Sequence, residues 1–247
     1  MKSKQQNKIH GIHAVEEALK TNQPIDKVFL QKGFQSEGLK KLESLLQKKG
    51  IPISYVPLEK LNRVSAGNHQ GVVANISPIQ FEEMQNLIPK IIEREKKPLF
   101  LLLDEISDVR NLGAIIRTAE CCGVNAILLP KHGGAAINEE TVKTSAGAIF
   151  NMPICKVNHL KDVIFFLQSY EVQIVAATEK TDTLVYDVDF MQPTAIIMGS
   201  EGKGVSPSLL KLSTQKAKLP LMGKISSLNV SVACGAFLYE AVRQRHL

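Results

Sequence analysis

The sequence predicts an α/β protein in two parts, a small N-terminal α/β unit and a larger C-terminal domain built on a mainly parallel sheet. Two observations lead to this prediction. Strand-like runs alternate with helical segments from residue 98 onward, as in sheets whose strands are joined by crossover helices. The run LFLLL at 99–103 is continuously apolar, as expected of a strand that is buried on both faces.

The chain divides into three segments by composition. Residues 1–77 are rich in lysine and long enough to fold alone. Residues 78–97 hold a helical patch with Pro89 and mixed charge, which indicates a connection, and residues 98–247 form the larger domain. In the first segment we expect helices at 12–20, 36–49 and 58–64 and strands at 27–31, 53–56 and 71–76.

The larger domain is expected to carry its chemistry at one edge of the sheet, because ligands of doubly wound sheets bind beyond the carboxyl ends of the strands. The loops concerned follow Leu103, Ala177, Met198 and Leu221. We predict strands at 99–103, 125–129, 172–178, 194–199 and 217–221, and helices at 111–122, 139–148, 161–169 and from 230 onward.

Composition favours a polyanionic partner. The net charge is +6 and the sequence pI is about 9.1. With no tryptophan and 5% aromatic residues, an extended base-stacking platform is not expected. No apolar run approaches the length needed to span a membrane, and the N-terminus lacks the apolar core of a signal peptide. We therefore expect a soluble, cytoplasmic protein with no membrane association.

The four cysteines do not form a recognisable metal or disulfide pattern. They show no CxxC spacing and no histidine partner at the distance of a zinc site, so we predict no metal centre. Buried, reduced thiols are the expected state. The four are Cys121, Cys122, Cys155 and Cys234.

Two stretches near the C-terminus indicate a binding site. The segment AIIMGSEGKGVSP at 195–207 is a buried strand that runs into three glycines, and glycine allows close approach of backbone to a ligand. The segment LPLMGKISSLNVSVACGAFLYE at 219–240 places the capping residues Ser226, Ser227 and Asn229 before a helix with apolar spacing. Neither GxGxxG nor GxxxxGK[ST] occurs, which argues against dinucleotide and P-loop enzymes.

Five polar residues at this sheet edge are candidates for an active site. Each alone has an ordinary structural interpretation: a helix cap for Asn111, a surface or salt-bridged cation for Arg117, and a solvated turn residue for Glu201. Their gathering at the loops of one sheet edge favours a functional site instead. The five candidates are Asn111, Arg117, Glu201, Ser227 and Asn229.

Three blocks of the larger domain resemble the SpoU family of RNA ribose 2′-O-methyltransferases, which belongs to the knotted SPOUT class. They are DEISDVRNLGAIIRTAECCGVNAILL at 104–129, IIMGSEGKGVS at 196–206, and the segment at 219–240. Val109 stands where the family usually has proline. The opening KIHGIHAVEEAL at 8–19 is similar to the N-terminal RNA-binding domain of the subfamily that methylates a guanosine of 23S ribosomal RNA.

The resemblance implies a C-terminal trefoil knot, S-adenosylmethionine as the cofactor, ribosomal RNA as the partner, and a homodimer that packs through the last helix. The stripe formed by Val230, Phe237 and Ala241 is compatible with such a shared face. By position, the cofactor contacts implied by the resemblance fall to Thr178, Gly199, Gly202, Leu219, Leu221 and Leu228.

The resemblance also implies roles for the five polar candidates. Arg117 would place the 2′-hydroxyl or its neighbouring phosphate. A guanidinium stays protonated in proteins, so it binds phosphate well but is a poor acceptor for the hydroxyl proton. Ser227 and Asn229 would orient donor and acceptor, with Asn111 beside them. Glu201 would hold Arg117 or Asn229 in place.

Three alternatives remain open from the sequence. A sister enzyme could methylate transfer RNA, and a non-catalytic RNA-binding assembly factor could use the same fold. A nucleotide-dependent enzyme is weakened by the missing phosphate loops.

Overall fold

The computed structural model describes residues 8–33, 36–65 and 67–246. These residues form two compact units. The first comprises the described residues up to Gln80 together with Ile137–Glu139, and the second comprises Phe81–Ala136 and the described residues from Glu140 onward. No helix within these residues is long and apolar enough to cross a membrane.

The first unit is a four-stranded mixed sheet in the order β1-β4-β2-β3. Strands β1 and β2 both pair with β4 in the antiparallel sense, and β3 pairs with β2 in the parallel sense. The elements are β1 (Lys8–His10), α1 (Ile12–Lys20), β2 (Ile25–Gln31), α2 (Glu37–Lys48), β3 (Ile53–Val56), α3 (Leu58–Val64) and β4 (Val72–Ile76).

Each face of this sheet has its own small core. Helices α1 and α2 cover one face, where Val15 and Leu42 pack in the same cluster as Val28. Helix α2 begins at Ser36, whose side chain accepts a hydrogen bond from the Leu39 N–H at 3.2 Å. The short α3 covers part of the opposite face, packing on Val56 and Val73. No helix among the described residues of this unit covers the remainder of that face.

The second unit is a six-stranded sheet in the order β10-β8-β9-β5-β6-β7, and every neighbouring pair is parallel. The predicted parallel α/β sheet is therefore confirmed. Its strands are β5 (Leu99–Leu103), β6 (Ala126–Pro130), β7 (Ile154–Val157), β8 (Gln173–Ala177), β9 (Thr194–Met198) and β10 (Gln215–Ala217). Its helices are α4 (Met84–Arg94), α5 (Val109–Cys121), α6 (Glu139–Thr144), α7 (Leu160–Gln168), α8 (Pro207–Leu212) and α9 (Val230–His246).

The sheet is buried on both faces, as the continuous apolar run predicted. Phe100 and Leu102 of β5 pack in one cluster with α4, α7 and α8. Successive strand residues point to opposite faces, so Leu99, Leu101 and Leu103 face the other way, and they are buried as well. Helices α5 and α9 pack against each other.

The segment 78–97, which the sequence indicated as a connection, contains α4. Met84 and Ile88 lie four residues apart on one side of this helix and are buried in the core of the second unit. This part of the segment is therefore a packed helix of the second unit, and Pro89 is accommodated inside it.

Two further predictions differ from the structure, and two strands were not predicted at all. The last strand is Gln215–Ala217, not 217–221, because its pairing ends where β8 ends, with Ala217 opposite Ala177. The helix predicted at 139–148 stops at Thr144, since Ala146 and Gly147 both have positive φ angles, 51° and 82°. The short strands β1 and β7 were not predicted.

Candidate active site

A cavity of about 620 Å³ lies beyond the carboxyl ends of β8 and β9. The loops after both strands line it, as does the segment from Lys218 to Val230 and the first half of α9. This is the sheet edge at which ligands of parallel sheets bind. The volume falls within the range of about 300–1,000 Å³ that is typical of pockets for small molecules and cofactors.

The glycine turn after β9 folds back on itself too tightly for a side chain at Gly199. A Cβ atom there would lie 2.0 Å from the Gly204 carbonyl carbon and 2.1 Å from the Val205 nitrogen. The turn is closed by the Gly204 N–H, which donates to the Ser200 carbonyl at 2.9 Å. Gly202 has a φ of +86°, a conformation that favours glycine.

Asp104 ties this turn to the neighbouring strand. Its carboxylate is buried at the end of β5 and accepts a hydrogen bond from the Ser206 N–H at 2.7 Å. Ser206 is the residue that precedes α8, so the carboxylate also stabilises the start of that helix. The sequence analysis assigned no role to Asp104, although a carboxylate directly after a buried apolar run was a signal for one.

The structure brings together all six residues expected to contact the cofactor. They come from three separate loops, yet each lines the single cavity described above. Met198 and Phe237 add apolar wall, and Glu179 adds a carboxylate that sequence reasoning missed. The six residues are Thr178, Gly199, Gly202, Leu219, Leu221 and Leu228.

Three of the five polar candidates form a hydrogen-bonded triangle at this cavity. The Asn111 Nδ2 group donates to Glu201 Oε1 at 3.0 Å. The Asn229 Nδ2 group donates to the same oxygen at 2.8 Å and to Asn111 Oδ1 at 3.0 Å. Glu201 therefore holds the two asparagines. Among the described residues no contact joins it to Arg117, which was its other expected partner.

Asn229 also begins the last helix. Its Oδ1 atom accepts from the N–H and the hydroxyl of Ser231, at 2.9 and 2.5 Å, and from the Val232 N–H at 3.4 Å. Asn229 thus caps the helix as predicted, and it also takes part in the triangle. Ser227 lines the cavity and makes no hydrogen bond to the other candidates within the described residues.

Asn111 lies inside α5 and does not cap it. The cap is Asp108, whose side chain accepts from the Arg110 and Asn111 N–H groups at 2.8 and 2.9 Å. Helix α5 lies close beside the 144–145 segment, since a Cβ atom on Gly113 would lie 1.8 Å from Thr144 Oγ1. Val109, which stands at the usual proline position, is the first residue of the helix.

Arg117 does not join this site in one chain. It lies six residues after Asn111, about 120° around the helix at 3.6 residues per turn. Its side chain is exposed, does not line the cavity, and has no hydrogen-bonding or ionic partner among the described residues. The cation to which the resemblance assigns the placing of the 2′-hydroxyl or its phosphate is thus absent from the cavity of its own chain.

The cysteines take no part in this site. Burial raises the pKa of Cys122 to about 11 and that of Cys155 to about 12, and it raises the pKa of Cys234 further. These thiols stay protonated at neutral pH and are poor nucleophiles. Cys121 is exposed, which differs from the expectation that all four are buried. The residues that the structure describes contain no group of three or more side chains suited to a metal ion.

The parallel sheet, the cavity beyond its carboxyl edge and the polar triangle define a cofactor-binding α/β enzyme. The chain belongs to the SpoU rRNA methylase family, whose model matches residues 98–239. A second model, described as RNA 2′-O ribose methyltransferase substrate binding, matches residues 8–82. The family resemblance of the sequence is therefore confirmed.

Full-length relatives carry more particular names. The chain is 36% identical to the 23S rRNA (guanosine-2′-O-)-methyltransferase RlmB of Pseudomonas aeruginosa, over 98% of both chains. It is 33% identical to a Bacillus subtilis protein assigned to the TrmH family of tRNA/rRNA methyltransferases, over 99% of this chain and 98% of the relative. A crystal structure of the SpoU methyltransferase AviRb from Streptomyces viridochromogenes with the cofactor AdoMet superposes with a TM-score of 0.62 and 25% identity, covering 96% of this chain and 89% of that one.

Proposed function

We propose that this protein transfers a methyl group from S-adenosylmethionine to the ribose 2′-oxygen of a guanosine in 23S ribosomal RNA. The observation that carries this proposal is the single cavity that gathers all six expected cofactor residues beside the Asn111–Glu201–Asn229 triangle. The full-length relatives named as 23S rRNA guanosine methyltransferases support the substrate. The protein would act in the cytoplasm on RNA held by the N-terminal residues 1–77, with residues 98–247 as the methyltransferase domain.

The cavity suits the cofactor in both shape and chemistry. Its apolar wall accepts an adenine ring, and the backbone at Gly202 is open to close approach, since nothing lies within 4 Å of the position of a Cβ atom there. The cofactor supplies a methyl group that is already activated on a sulfonium. What remains for the protein is to align the 2′-oxygen, exclude water and receive a proton.

The triangle leaves two groups free for the ribose. Glu201 Oε1 accepts both asparagine amides, whereas Oε2 has no partner among the described residues. The second N–H of the Asn111 amide likewise has no hydrogen-bond acceptor among the described residues. In our proposal Glu201 Oε2 accepts the hydrogen bond of the 2′-hydroxyl and then its proton, while Asn111 donates to a neighbouring ribose oxygen. Ser227 orients the reacting groups from the cavity wall, and Asn229 holds Glu201 and Asn111 in position.

A homodimer would supply the missing cation. Val232 and Tyr239 lie seven residues apart on one side of α9 and are each 57% exposed, and Met222 and Ile225 nearby in sequence are 97% and 78% exposed. The stripe Val230, Phe237 and Ala241 is buried within the chain, so it is not the shared face. We place the dimer contact on the exposed side of α9, with Arg117 of one protomer gripping a phosphate at the cavity of the other.

The trefoil knot is also part of this proposal. The segments after β8 and β10 are joined by hydrogen bonds from the Val185 N–H to the Lys218 carbonyl, at 2.9 Å, and from the Lys218 N–H to the Thr183 carbonyl, at 3.0 Å. The chain then continues into α9, which returns to pack on α5. This path, together with membership of the SpoU family, supports a knotted C-terminal region.

The proposed function is tested by mapping ribose methylation in ribosomal and transfer RNA from cells with and without the protein. We expect one guanosine of 23S rRNA to lose its 2′-O-methyl group when the protein is removed, and to regain it when purified protein and S-adenosylmethionine are added. Loss of a methyl group on transfer RNA alone would assign the enzyme to that substrate. No change in either RNA, with no heat of binding for S-adenosylmethionine in calorimetry, would identify a binding factor instead.

A further inference from the structure

The uncovered part of the N-terminal sheet carries a row of lysines. Lys8 of β1 and Lys27 of β2 are both direct cross-strand partners of Asn75 in β4, which lies between them. Directly opposed residues of antiparallel strands point to the same face. At a strand spacing of about 4.8 Å, the two lysines stand roughly 10 Å apart on one surface.

Phe29 brings a third lysine to this surface. It lies two residues after Lys27 and therefore faces the same way. The Lys27 ammonium is 5.6 Å from the centroid of its ring, and the Lys60 ammonium of α3 is 6.0 Å from the same centroid. A ring contacted by two ammonium groups holds them close together in spite of their mutual repulsion.

The part of the chain that the structure describes does not pair these three charges with a carboxylate. Among the described residues, no carboxylate lies within ion-pair distance of Lys8, Lys27 or Lys60. Asp26, the carboxylate beside Lys27 in the chain, is buried and already engaged. Lys8 and Lys27 are half-buried, as expected when a lysine stem lies along a sheet and its ammonium stays in water.

The helical side of the same unit is different. There Lys41 pairs with Glu37 at 2.8 Å and Lys20 pairs with Glu17 at 3.6 Å. Other lysines of the helical side, such as Lys48, also have no carboxylate partner among the described residues, so what distinguishes the sheet face is that three such lysines gather on one surface. Such a surface is complementary to a polyanion.

We propose that Lys8, Lys27 and Lys60 bind the sugar–phosphate backbone of the substrate RNA across this sheet face. The inference rests on the proposed function and adds to it the surface on which the RNA is held. The proposal assigns no base-reading role to Phe29, because its ring is contacted by two lysines and packs with α3. Contacts to phosphates fix the position of an RNA without selecting its sequence.

The test compares two triple variants that lose the same charge. Lys8/Lys27/Lys60→Gln removes the three lysines that are proposed to contact phosphate. Lys20/Lys41/Lys48→Gln removes three exposed lysines of the helical side. Binding of transcribed 23S rRNA is measured without cofactor at several salt concentrations. We expect the first variant to bind about tenfold more weakly or worse, and its slope of log affinity against log salt to fall by about 2–3, since each lost phosphate contact removes about 0.7–0.9.

The outcomes separate this proposal from the proposed function. If both triple variants lose RNA affinity equally, or if the first binds RNA as the wild type does, these lysines are not the RNA-binding surface. That conclusion would hold even if the wild-type enzyme methylates 23S rRNA. A wild-type protein that binds the RNA through these lysines and transfers no methyl group would overturn the proposed function alone. Lys8/Lys27/Lys60→Arg keeps the charge and should bind RNA as the wild type does. The single variant Lys60→Gln changes an exposed position, so it tests the phosphate contact without disturbing the fold.

Discussion

Asn229 uses every hydrogen-bonding group of its side chain: both amide N–H groups in the triangle and the oxygen at the start of α9. One residue therefore links the shape of the site to the formation of the last helix. Glu201 is exposed, yet its position is fixed because two asparagines from distant parts of the chain donate to the same oxygen. At this scale the triangle is made of two amides and one carboxylate, and neither a cation nor a thiol belongs to it.

The two roles of Asn229 can be separated by substitution. Asn229→Ala removes the cap and the amide, so we expect a loss of about 1 kcal/mol in the free energy of unfolding and a fall of about a hundredfold in kcat. Asn229→Ser keeps a capping oxygen and lacks the amide. It should unfold like the wild type in urea and still be slow in single-turnover methylation. A fast Asn229→Ser enzyme would show that only the cap matters.

At the scale of elements, the glycine turn after β9 and the terminal helix α9 position the cavity. The turn is held by backbone contacts that leave no room for a side chain at Gly199. Helix α9 is fastened at its far end by Arg245, which donates to the carbonyls of Phe190, Lys97 and Gln192 at 2.9, 2.8 and 3.2 Å. Burial lowers the pKa of this guanidinium without making it neutral in the physiological range.

The turn predicts a sharp difference between two glycines of the site region. Gly199→Ala places a methyl group against backbone, so we expect S-adenosylmethionine affinity to fall at least about tenfold and stability to fall by about 1–3 kcal/mol, as in overpacked sites. Gly223→Ala meets nothing within 4 Å and has no positive φ angle. It is the matched control, and calorimetry should find its cofactor affinity unchanged. Equal affinities for both variants would exclude a tight turn at Gly199.

Helix α9 also predicts how stability depends on pH. The pKa of Glu240 is lowered, chiefly by its hydrogen bonds from Arg243, at 2.9 and 2.8 Å. The folded value lies below the unfolded value of about 4.3. The contribution of Glu240 is therefore present above that pH and is lost as the pH falls through the folded pKa. Urea unfolding should show wild type and Glu240→Gln differing most near neutral pH and converging below about pH 4. A constant difference from pH 7 to pH 3 would contradict this assignment.

At the scale of the whole molecule, the chain separates two tasks. The N-terminal unit offers an unpaired row of lysines, and the C-terminal unit offers a cofactor cavity and a polar triangle. The proposed homodimer completes the site, since the guanidinium of Arg117 stands outside the cavity of its own chain. In the proposed dimer, a second copy would contribute this charge without any change in the fold.

A mixed dimer tests this arrangement. Arg117→Ala and Asn229→Ala chains, each carrying a different tag, are co-expressed and the heterodimer is purified through both tags. If Arg117 serves the cavity of its partner, one of the two sites contains both wild-type groups, and the heterodimer should show about half of wild-type activity. Each variant alone should be nearly inactive. A heterodimer as inactive as either parent would place Arg117 in the site of its own chain or outside the reaction.

The sequence by itself determined the features that depend on local pattern. The continuous apolar run of β5 indicated a strand buried on both faces, and the glycines of 199–204 indicated a ligand-side turn. Helix α1 and helix α3 lie at the predicted residues. The short strands β1 and β7 were missed because a run of three or four residues is too short to show the alternation of apolar and polar residues that indicates a strand.

Only the tertiary structure decided which of the candidate residues meet. Asn111 and Asn229 are 118 positions apart in the chain and touch because α5 and α9 pack side by side. The same packing leaves Arg117 on the outer surface and buries the α9 stripe that was compatible with a shared face on sequence alone. Periodicity records which face of an element is apolar, whereas the partner of that face depends on the path of the whole chain.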